Sequence, residues 1–340
     1  MRAYRLCPAK AKRLGADEFL RANIFSLRSI CDGPEFHFCE ALRVSANAAQ
    51  AAASFEGPPD PDLVRIRDLV YEEAGIFHPD SKLRLLWERC GRRMQELKTE
   101  TLREYFECLT VKPNRQAELV ALLNEITIAE TCFFRNEPQL NAVREVVIPK
   151  IIEAEAKLPI RRIRIWSAGC STGEEPYTLS MLLLEESEHR LRDWSFEILA
   201  TDLNERSLAH AKKGLYGSYS TRNLSAYYRE KYFLPEGEQL QVQSVVRKNV
   251  KFSRLNLSDD ARMTFMKSVD IIFCCNVLIY LGAALQRNVL AVLRYALKPS
   301  GFLVLGPSES IGTLSEAFLQ VDNTHKIYCL RPDVGTPAPP

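Results

Sequence analysis

A short apolar run followed by a loop of small residues, from Ile163 to Tyr177, constrains the fold of this chain more than any other feature. The letters IRIW predict a buried strand, and SAGCSTG before EEPY predicts a tight loop and the start of a helix. Small residues let the backbone approach a ligand closely, and a helix start offers free N–H groups. The segment therefore predicts a nucleotide-type pocket at the end of a strand.

Two glutamates narrow the class of ligand. A phosphate-binding loop would end in Gly-Lys-Ser or Gly-Lys-Thr, and a dinucleotide site would show G-x-G-x-x-G, but this loop has neither pattern. Glu174 and Glu175 in the first helical turn would repel a pyrophosphate and attract a cation. S-adenosylmethionine, which carries a sulfonium and an ammonium group, is such a ligand. The alternative is that the two glutamates only cap the helix.

The composition predicts a globular cytoplasmic protein. The chain has 340 residues, of which 46% are hydrophobic and 26% charged, enough for one large and one smaller domain. A net charge of +2 argues against broad nucleic-acid binding, and no apolar run approaches the roughly 18 residues of a membrane span. The ten cysteines are scattered, and Cys31, His37 and Cys39 have no evident fourth ligand. We therefore expect free buried thiols, no metal site and no membrane insertion.

The region from Leu63 to about Val120 has apolar residues at helical spacing, which predicts a small helical domain. Its second helix, Ser81 to Lys98, carries several cations largely away from the apolar stripe. Such a basic ridge is either a solvated face or a docking surface for an acidic partner. The residues of the basic ridge are Lys82, Arg89, Arg92 and Arg93.

From Arg161 onward, apolar runs alternate with helical patterns. Continuous apolar runs are typical of strands buried on both faces, so we predict a parallel sheet with helices on both sides. The predicted strands are 163–166, 196–200, 269–275 and 302–306, with a late run at 326–330 and helices at 175–186 and 285–297. The predicted domains are a flexible extension (1–60), a helical domain with linker (61–150), an α/β domain (151–332) with a turn-rich insertion (about 216–254), and a disordered tail (333–340).

Polar side chains follow the predicted strands, where the carboxyl ends of parallel strands would meet. Asp202 follows the second strand, where an acid could bind ribose hydroxyls. Asn256 and Leu257 could contact the edge and face of an adenine, and Asn276 and Tyr280 would lie at the pocket mouth. Each alone could be a turn or capping residue, but together they indicate one adenosyl pocket.

Five motifs between about Leu63 and Leu330 are ETCFFR (130–135), STGEEPY (171–177), ATD (200–202), CNVLIY (275–280) and GPSES (306–310). With these motifs the chain resembles the CheR-type chemotaxis receptor methyltransferases, which move a methyl group from S-adenosylmethionine to a receptor glutamate. The resemblance implies a Rossmann-like S-adenosylmethionine-dependent methyltransferase domain with a small inserted β-subdomain, preceded by a small all-α N-terminal domain. It also implies that the cytoplasmic helical domain of a chemoreceptor is the partner of a monomeric enzyme.

The same resemblance implies roles for individual residues. Thr131 and Arg135 would contact the cofactor from the helical side, and one of the paired glutamates, preferably Glu175, would bind its charged methionine end. Asp202 would bind the ribose, and Tyr280 would lie near the transferred methyl group. The implied cofactor contacts are Thr131, Arg135, Gly169, Glu174, Glu175, Asp202, Asn256, Leu257, Cys275 and Asn276.

The chemistry of a glutamate acceptor agrees with these residues. A carboxyl group with a pKa of about 4.3 is ionised at neutral pH, so attack on a sulfonium methyl needs no general base. Catalysis then rests on alignment. Arg135 and Tyr280 are the predicted catalytic residues, which aim the acceptor carboxylate.

Three positions differ from the residues usual in the family: Ala129 stands for Asn, Cys275 for Arg and Pro307 for His. The lost polar contacts favour an alternative, in which the protein is a catalytically weak or inactive cofactor-binding scaffold or sensor. A small-molecule methyltransferase is a third hypothesis, against which the basic ridge argues. The turn at 234–238 is shorter than in members that dock a receptor's tail peptide, so we expect no such tethering.

Overall fold

The computed structural model describes residues 59–156, 159–259, 266–312 and 316–331. The predicted N-terminal extension, up to residue 58, lies outside the described residues, and so does the predicted tail. Cys31, His37 and Cys39 are also outside them.

Residues 61–126 fold into helices around one apolar core. The first helix begins after Asp60, whose Oδ1 accepts hydrogen bonds from the N–H groups of Asp62 (2.8 Å) and Leu63 (3.3 Å). Gly75, in the left-handed conformation with φ 68°, ends that helix. The helices are α1 (Pro61–Ala74), α2 (Leu83–Leu97), α3 (Leu102–Thr110) and α4 (Arg115–Ile126), with a 3₁₀ turn (Asp80–Lys82) before α2.

One member of the predicted basic ridge, Arg93, is not on the surface. Its side chain is 7% exposed, and its Nη2 and Nε donate to the two oxygens of Glu118 on α4, at 2.7 and 3.0 Å. The hydroxyl of Tyr105 on α3 donates to the same carboxylate at 2.9 Å. The prediction that Arg93 docks a partner is therefore wrong, because its place on α2 faces the two neighbouring helices and its charge is neutralised there.

The chain between the helical domain and the sheet is also helical. Its apolar side chains, among them Leu140, Val147 and Ile151, belong to the core on one face of the sheet. The Nε2 of Gln139 donates to the backbone oxygen of Leu305 at 2.8 Å, which fixes this segment to a strand end. The segments are α5 (Glu137–Ala142), a π-helical turn (Val143–Val147) and α6 (Ile148–Glu155).

A central sheet organises the rest of the described chain. The strands are β1 (Arg162–Ala168), β2 (Ser195–Asp202), β3 (Leu215–Tyr216), β4 (Phe233–Glu236), β5 (Gln239–Val242), β6 (Val250–Arg254), β7 (Val269–Cys274), β8 (Leu297–Leu305), β9 (Phe318–Asp322) and β10 (Ile327–Leu330). The main sheet has the order β6-β2-β1-β7-β8-β10-β9. The first five of these strands are parallel to one another, and β10 pairs in antiparallel orientation with β8 on one side and β9 on the other. The predicted parallel sheet is confirmed, whereas the sequence pattern did not indicate β9.

Helices cover both faces of this sheet. On β1, Ile163 and Ile165 share a core with the helix that follows β1 in the chain. Trp166 and Ala168 share a second core with the helix that precedes β8. This alternation follows from the side-chain period of two in a strand. The helices are α7 (Glu174–Ser187), α8 (Glu205–Lys213), α9 (Ala226–Tyr232), α10 (Ser244–Arg247) and α11 (Ala283–Ala296), with a 3₁₀ turn (Leu278–Tyr280) after β7.

The turn-rich region forms a separate antiparallel sheet of β3, β5 and β4. The hydroxyl of Tyr232 on α9 donates to Glu185 on α7 at 2.6 Å, which fixes the insertion to the main domain. The predicted insertion extends to about 254, but its last segment, β6, pairs with β2 in the main sheet, with Ala200 opposite Phe252. As an edge strand, β6 alternates buried or partly buried residues with exposed ones and so lacks the continuous apolar run of the central strands.

Candidate active site

A cavity of 360 Å³ lies at the carboxyl ends of β1, β2 and β7, beside residues of the helical domain. This volume is typical of small-molecule sites. Every predicted cofactor-binding and catalytic residue except Glu174 lines it. These residues are Thr131, Arg135, Gly169, Glu175, Asp202, Asn256, Leu257, Cys275, Asn276 and Tyr280.

The loop after β1 is held tightly against β2. The N–H groups of Gly169 and Cys170 donate to the backbone oxygen of Thr201 at 2.8 and 2.9 Å. Gly169 has φ +75°, and a Cβ at this position would lie 2.4 Å from Cγ2 of Val277. Only glycine fits this close approach without displacing the loop after β7. The requirement for small residues that the sequence indicates therefore comes from packing of the site's own loops.

The two glutamates of the loop have different environments. Glu175 lines the cavity, where its Oε1 accepts a hydrogen bond from the hydroxyl of Ser167 at 2.7 Å. Desolvation raises the pKa of Glu175 to about 7, although the Ser167 hydroxyl and the Arg135 charge favour the ionised form. Glu174 is 1% exposed, does not line the cavity and accepts from the hydroxyl of Thr172 at 2.7 Å. The prediction that Glu174 contacts the cofactor is therefore not supported, because α7 directs successive side chains to different faces.

Asp202 lies at the end of β2, and each oxygen of its carboxylate accepts one hydrogen bond from the backbone. Its Oδ2 accepts from the N–H of Ser171 at 2.7 Å, and its Oδ1 accepts from the N–H of Asn204 at 2.8 Å. Burial raises the pKa of Asp202, and the backbone donors oppose that rise. Each oxygen keeps a further lone pair, so Asp202 can accept hydrogen bonds from a ligand in the cavity.

Asn256 is already engaged in contacts within the protein. Its Nδ2 donates to the backbone oxygen of Glu73 on α1 at 2.7 Å, and its Oδ1 accepts from the N–H of Ser258 at 3.0 Å. The hydroxyl of Ser258 donates to the same oxygen of Glu73 at 3.3 Å. Although Asn256 lines the cavity, its amide joins the helical domain to the sheet domain, which leaves one N–H of Nδ2 and one lone pair of Oδ1 for a ligand.

The loop after β7 contacts the helical domain as well. The N–H of Phe77 donates to the backbone oxygen of Tyr280 at 2.8 Å, and Ile76 forms an isolated bridge with Leu281. Asn276 has φ 61°, a left-handed conformation that is sparsely populated and common at functional sites. Tyr280 is thereby held where the two domains meet at the cavity.

Arg135 lies at the exposed rim of the cavity. Its neighbours Phe134 and Asn136 both have left-handed backbones, with φ 53° and 60°. The N–H of Phe134 donates to the hydroxyl of Thr178 at 3.2 Å, and Nη1 of Arg135 donates to the backbone oxygen of Glu130 at 2.9 Å. The guanidinium keeps further N–H donors for a ligand at the rim, because Arg carries five.

Several cavity residues were not predicted. His78 is buried, burial lowers its pKa, and its Nδ1 has no hydrogen-bond partner among the described residues. Lys82, predicted only for docking, is exposed and also lines the cavity. Gln139 lines it too, and the thiol of Cys275 lies 3.9 Å from Oε1 of that residue. Periodicity could not indicate His78 or Gln139, since each belongs to a short segment without a repeating pattern.

The lining residues fit the charge and polarity of S-adenosylmethionine. In the described part of the chain, neither Glu175 nor Asp202 forms an ion pair, so two acidic side chains remain to attract a sulfonium or ammonium group. The hydroxyl of Ser171, which also lines the cavity, has no hydrogen-bond partner in these residues. Leu257 and Val277 add apolar surface for an adenine ring.

Two family models match most of the described chain. A family model described as "CheR methyltransferase, SAM binding domain" matches residues 129–327, and one described as "CheR methyltransferase, all-alpha domain" matches residues 61–127. No helix in the described ranges is long and apolar enough to cross a membrane.

Curated relatives extend the match over most of the chain. Chemotaxis protein methyltransferase 2 of Vibrio cholerae is 35% identical over 76% of this chain and 88% of its own length. The chemotaxis protein methyltransferase of Borreliella burgdorferi is 34% identical over 74% and 88%, and chemotaxis protein methyltransferase 1 of Pseudomonas aeruginosa is 32% identical over 76% and 94%. The chain therefore belongs to the CheR methyltransferase family, with S-adenosylmethionine as its cofactor.

Proposed function

We propose that this protein is a protein-glutamate O-methyltransferase that esterifies glutamate side chains in the cytoplasmic helical domain of a chemoreceptor. The observation that carries the proposal is the charge arrangement of the cavity: Glu175 and Asp202 lie inside it, and the cations Arg135 and Lys82 lie around it. A cationic cofactor suits the acidic interior, and an anionic acceptor suits the basic surroundings.

When bound, S-adenosylmethionine supplies a methyl group on a positively charged sulfur. Asp202 would accept the ribose hydroxyls, Glu175 would balance the charge of the methionine end, and Thr131 and Leu257 would complete the contacts. These residues hold the cofactor while the acceptor enters from the rim.

At the rim, this chain has to hold a carboxylate rather than move a proton. An ionised glutamate would use an oxygen lone pair to form the new O–CH₃ bond while the S–CH₃ bond breaks, and the sulfur would keep that electron pair in the product S-adenosyl-L-homocysteine. No proton moves in this step, so the site needs no general base. Arg135 would bind the acceptor carboxylate through its free N–H groups, and Tyr280 would orient it. Chain segments from both domains line the cavity.

The receptor would dock on the exposed part of the basic ridge. Lys82 and Arg92 are exposed, Arg89 is half-buried, and the first of these also lines the cavity. An acidic helical surface is the complementary partner. The proposal includes a monomeric enzyme and no tethering of a receptor tail peptide, given the short turn between β4 and β5.

The direct test uses methyl-labelled cofactor and the cytoplasmic domain of the cognate receptor. We expect base-labile label on glutamates, and no label on a receptor whose acceptor glutamates are changed to glutamine. A wild-type protein that binds the cofactor, as measured by calorimetry, and yet forms no such ester would contradict the proposal. That outcome would instead support the cofactor-binding scaffold that Ala129 and Cys275 suggest.

A further inference from the structure

The GPSES motif (306–310) is one of the motifs by which the chain resembles the CheR methyltransferases, but neither the sequence nor the proposed mechanism assigns a role to it. In the structure, Glu309 of this motif is 5% exposed and its carboxylate receives five backbone N–H groups. Oε2 accepts from Asn276 (2.8 Å) and Gly306 (2.7 Å), and Oε1 accepts from Val277 (2.8 Å), Leu278 (2.7 Å) and Ile279 (3.4 Å).

Four of these donors belong to the loop after β7, which carries Asn276 and leads to Tyr280. Other hydrogen bonds of this loop's backbone use mainly its carbonyl groups: Tyr280 accepts from Phe77 (2.8 Å), Val277 from Tyr280 (3.1 Å), and Leu278 from Leu281 (3.0 Å) and from Nε2 of Gln286 (2.9 Å). Hydrogen bonds to an ionised acceptor are roughly twice as strong as neutral ones, and a buried site strengthens them further. Glu309 therefore holds the four consecutive N–H groups of residues 276–279, and it offsets the cost of the left-handed Asn276.

Gly306, the glycine of the motif, leaves room for the carboxylate of Glu309. A Cβ on Gly306 would lie 2.6 Å from Oε2 of Glu309 and 2.8 Å from the backbone nitrogen of Asn276. A side chain there would push the carboxylate away from the loop that it holds. The motif thus places an anion and the space for it at the end of β8, next to the end of β7.

We propose that Glu309 is a positioning residue for methyl transfer, which acts by fixing Asn276 and Tyr280 through the backbone of their loop. The proposal rests on the proposed function, because the role of Tyr280 in orienting the acceptor is part of it. Glu309 itself does not line the cavity, so it acts through the loop and not by touching a ligand.

The first test measures the anchoring itself by hydrogen exchange. In Glu309→Gln, an amide NH₂ replaces one oxygen and faces N–H donors, so we expect faster exchange in residues 276–279 and unchanged exchange in β7. Unchanged exchange in residues 276–279 would overturn the proposal.

Glu155→Gln is the matched control. Glu155 is a buried carboxylate at the opposite end of the sheet, where Nζ of Lys298 donates to it at 2.5 Å. This control should lower stability but leave both the exchange of residues 276–279 and the turnover number unchanged.

The second test is a double-mutant cycle on turnover with saturating cofactor and receptor. A misplacement of about 1 Å can cost roughly a hundredfold in rate, so we expect a loss of that order in Glu309→Gln. If Glu309 acts through Tyr280, adding Tyr280→Phe should cause little further loss, since residues that act as a unit are not additive. Unchanged turnover in Glu309→Gln, or losses that multiply in the double variant, would overturn the proposal.

Gly306→Ala provides a second variant in case Glu309→Gln does not fold. It keeps the charge but displaces the carboxylate, so exchange in residues 276–279 should rise and turnover should fall about tenfold. If the wild type forms no receptor ester, the proposed function fails separately, and the exchange measurement still decides whether Glu309 anchors the loop.

Discussion

Among the described residues, buried charged side chains have a partner of opposite charge in the helical domain but not in the cavity. In the helical domain, Arg93 and Glu118 neutralise each other at 2.7 Å, and Tyr105 adds a third hydrogen bond. In the cavity, Glu175 is held by one hydroxyl of the protein and Asp202 by two backbone N–H groups. The first arrangement is complete without a ligand, and the second is not.

Structural and functional charges of this fold therefore differ in whether the protein itself supplies the counter-charge. A buried ion pair needs both partners, because either charge alone is costly in a low-dielectric interior. A carboxylate that lacks a cation, lines a cavity and has a raised pKa can recover that cost when a cationic ligand arrives. Substitutions and pH titrations of these groups test this distinction.

The largest effect should follow Arg93→Ala. Removing one partner leaves Glu118 buried without its cation, which typically costs about 3–5 kcal/mol of folding free energy. Urea unfolding followed by circular dichroism measures this loss. An Arg93→Met variant combined with Glu118→Leu and Tyr105→Phe should recover much of it, because the ion pair and the hydroxyl that donates to it are then replaced by apolar groups. A loss below about 1 kcal/mol in Arg93→Ala would show that the pair is not a structural element.

Asp202→Ala should weaken cofactor binding by about ten- to a hundredfold. Hydrogen bonds to a charged group contribute about 1.5–3 kcal/mol, and this change also leaves the N–H of Ser171 without its partner. Isothermal titration calorimetry with S-adenosylmethionine measures the effect. Glu174→Gln is the matched control, since Glu174 does not line the cavity and its loss should leave the affinity nearly unchanged.

The affinity for S-adenosylmethionine should fall on acidification in the wild type. Because the pKa of Glu175 is raised to about 7 and a cation prefers the ionised form, affinity should drop by up to tenfold per pH unit below pH 7. Titrations between pH 5.5 and 8 measure this slope. In Glu175→Gln the slope should flatten, and a slope equal to that of the wild type would exclude Glu175 as its source.

The same group has the opposite effect on the stability of the free protein. The pKa of Glu175 is higher in the folded state than its ordinary value of 4.5, so the folded state binds the proton more tightly. Its contribution to stability is fully present below pH 4.5 and is lost as the pH rises through about 7. Bound cofactor should reduce this loss.

The smallest effect should follow Arg92→Ala. Arg92 neighbours Arg93 in sequence, but its side chain is 58% exposed and lies 3.7 Å from Glu125. Glu125 also pairs with Arg206 and so keeps a cation when Arg92 is removed, and the folding free energy should change by less than about 0.5 kcal/mol. If Arg92 belongs to the docking surface, the Michaelis constant for the receptor should rise while cofactor affinity stays constant. A large loss of stability would place Arg92 with Arg93 as a structural residue.

Much of the fold follows from sequence patterns. The strands around Ile165, Ile198 and Ile272 read as apolar runs because both of their faces are buried, and the structure confirms them as the parallel centre of the sheet. The edges were harder to predict. Both β6 and β9 have exposed positions that break the apolar run, since an edge strand lacks a neighbour on one side.

The residues of the candidate site could likewise be predicted only in part from the sequence. The sequence indicates which residues follow the strands, because the ends of parallel strands converge at one edge of the sheet. It does not indicate where each side chain points. Glu174 and Glu175 are adjacent and identical in type, yet only Glu175 lines the cavity. Asn256 lies in the cavity wall as expected, but its amide binds the backbone of α1, a contact between residues 183 positions apart.

The amino-acid sequence alone indicates the central parallel strands with their covering helices, the small-residue loop at Gly169 and the acidic residues of the pocket. Those features depend on local periodicity and on residue type, which the chain carries in any conformation. Only the tertiary structure decided that Arg93 is buried while Arg92 is exposed, that Lys82 and His78 reach the cavity, and that Glu309 holds the loop of Tyr280. These outcomes depend on contacts between distant segments, and such contacts exist only after packing has fixed the orientation of each helix and loop.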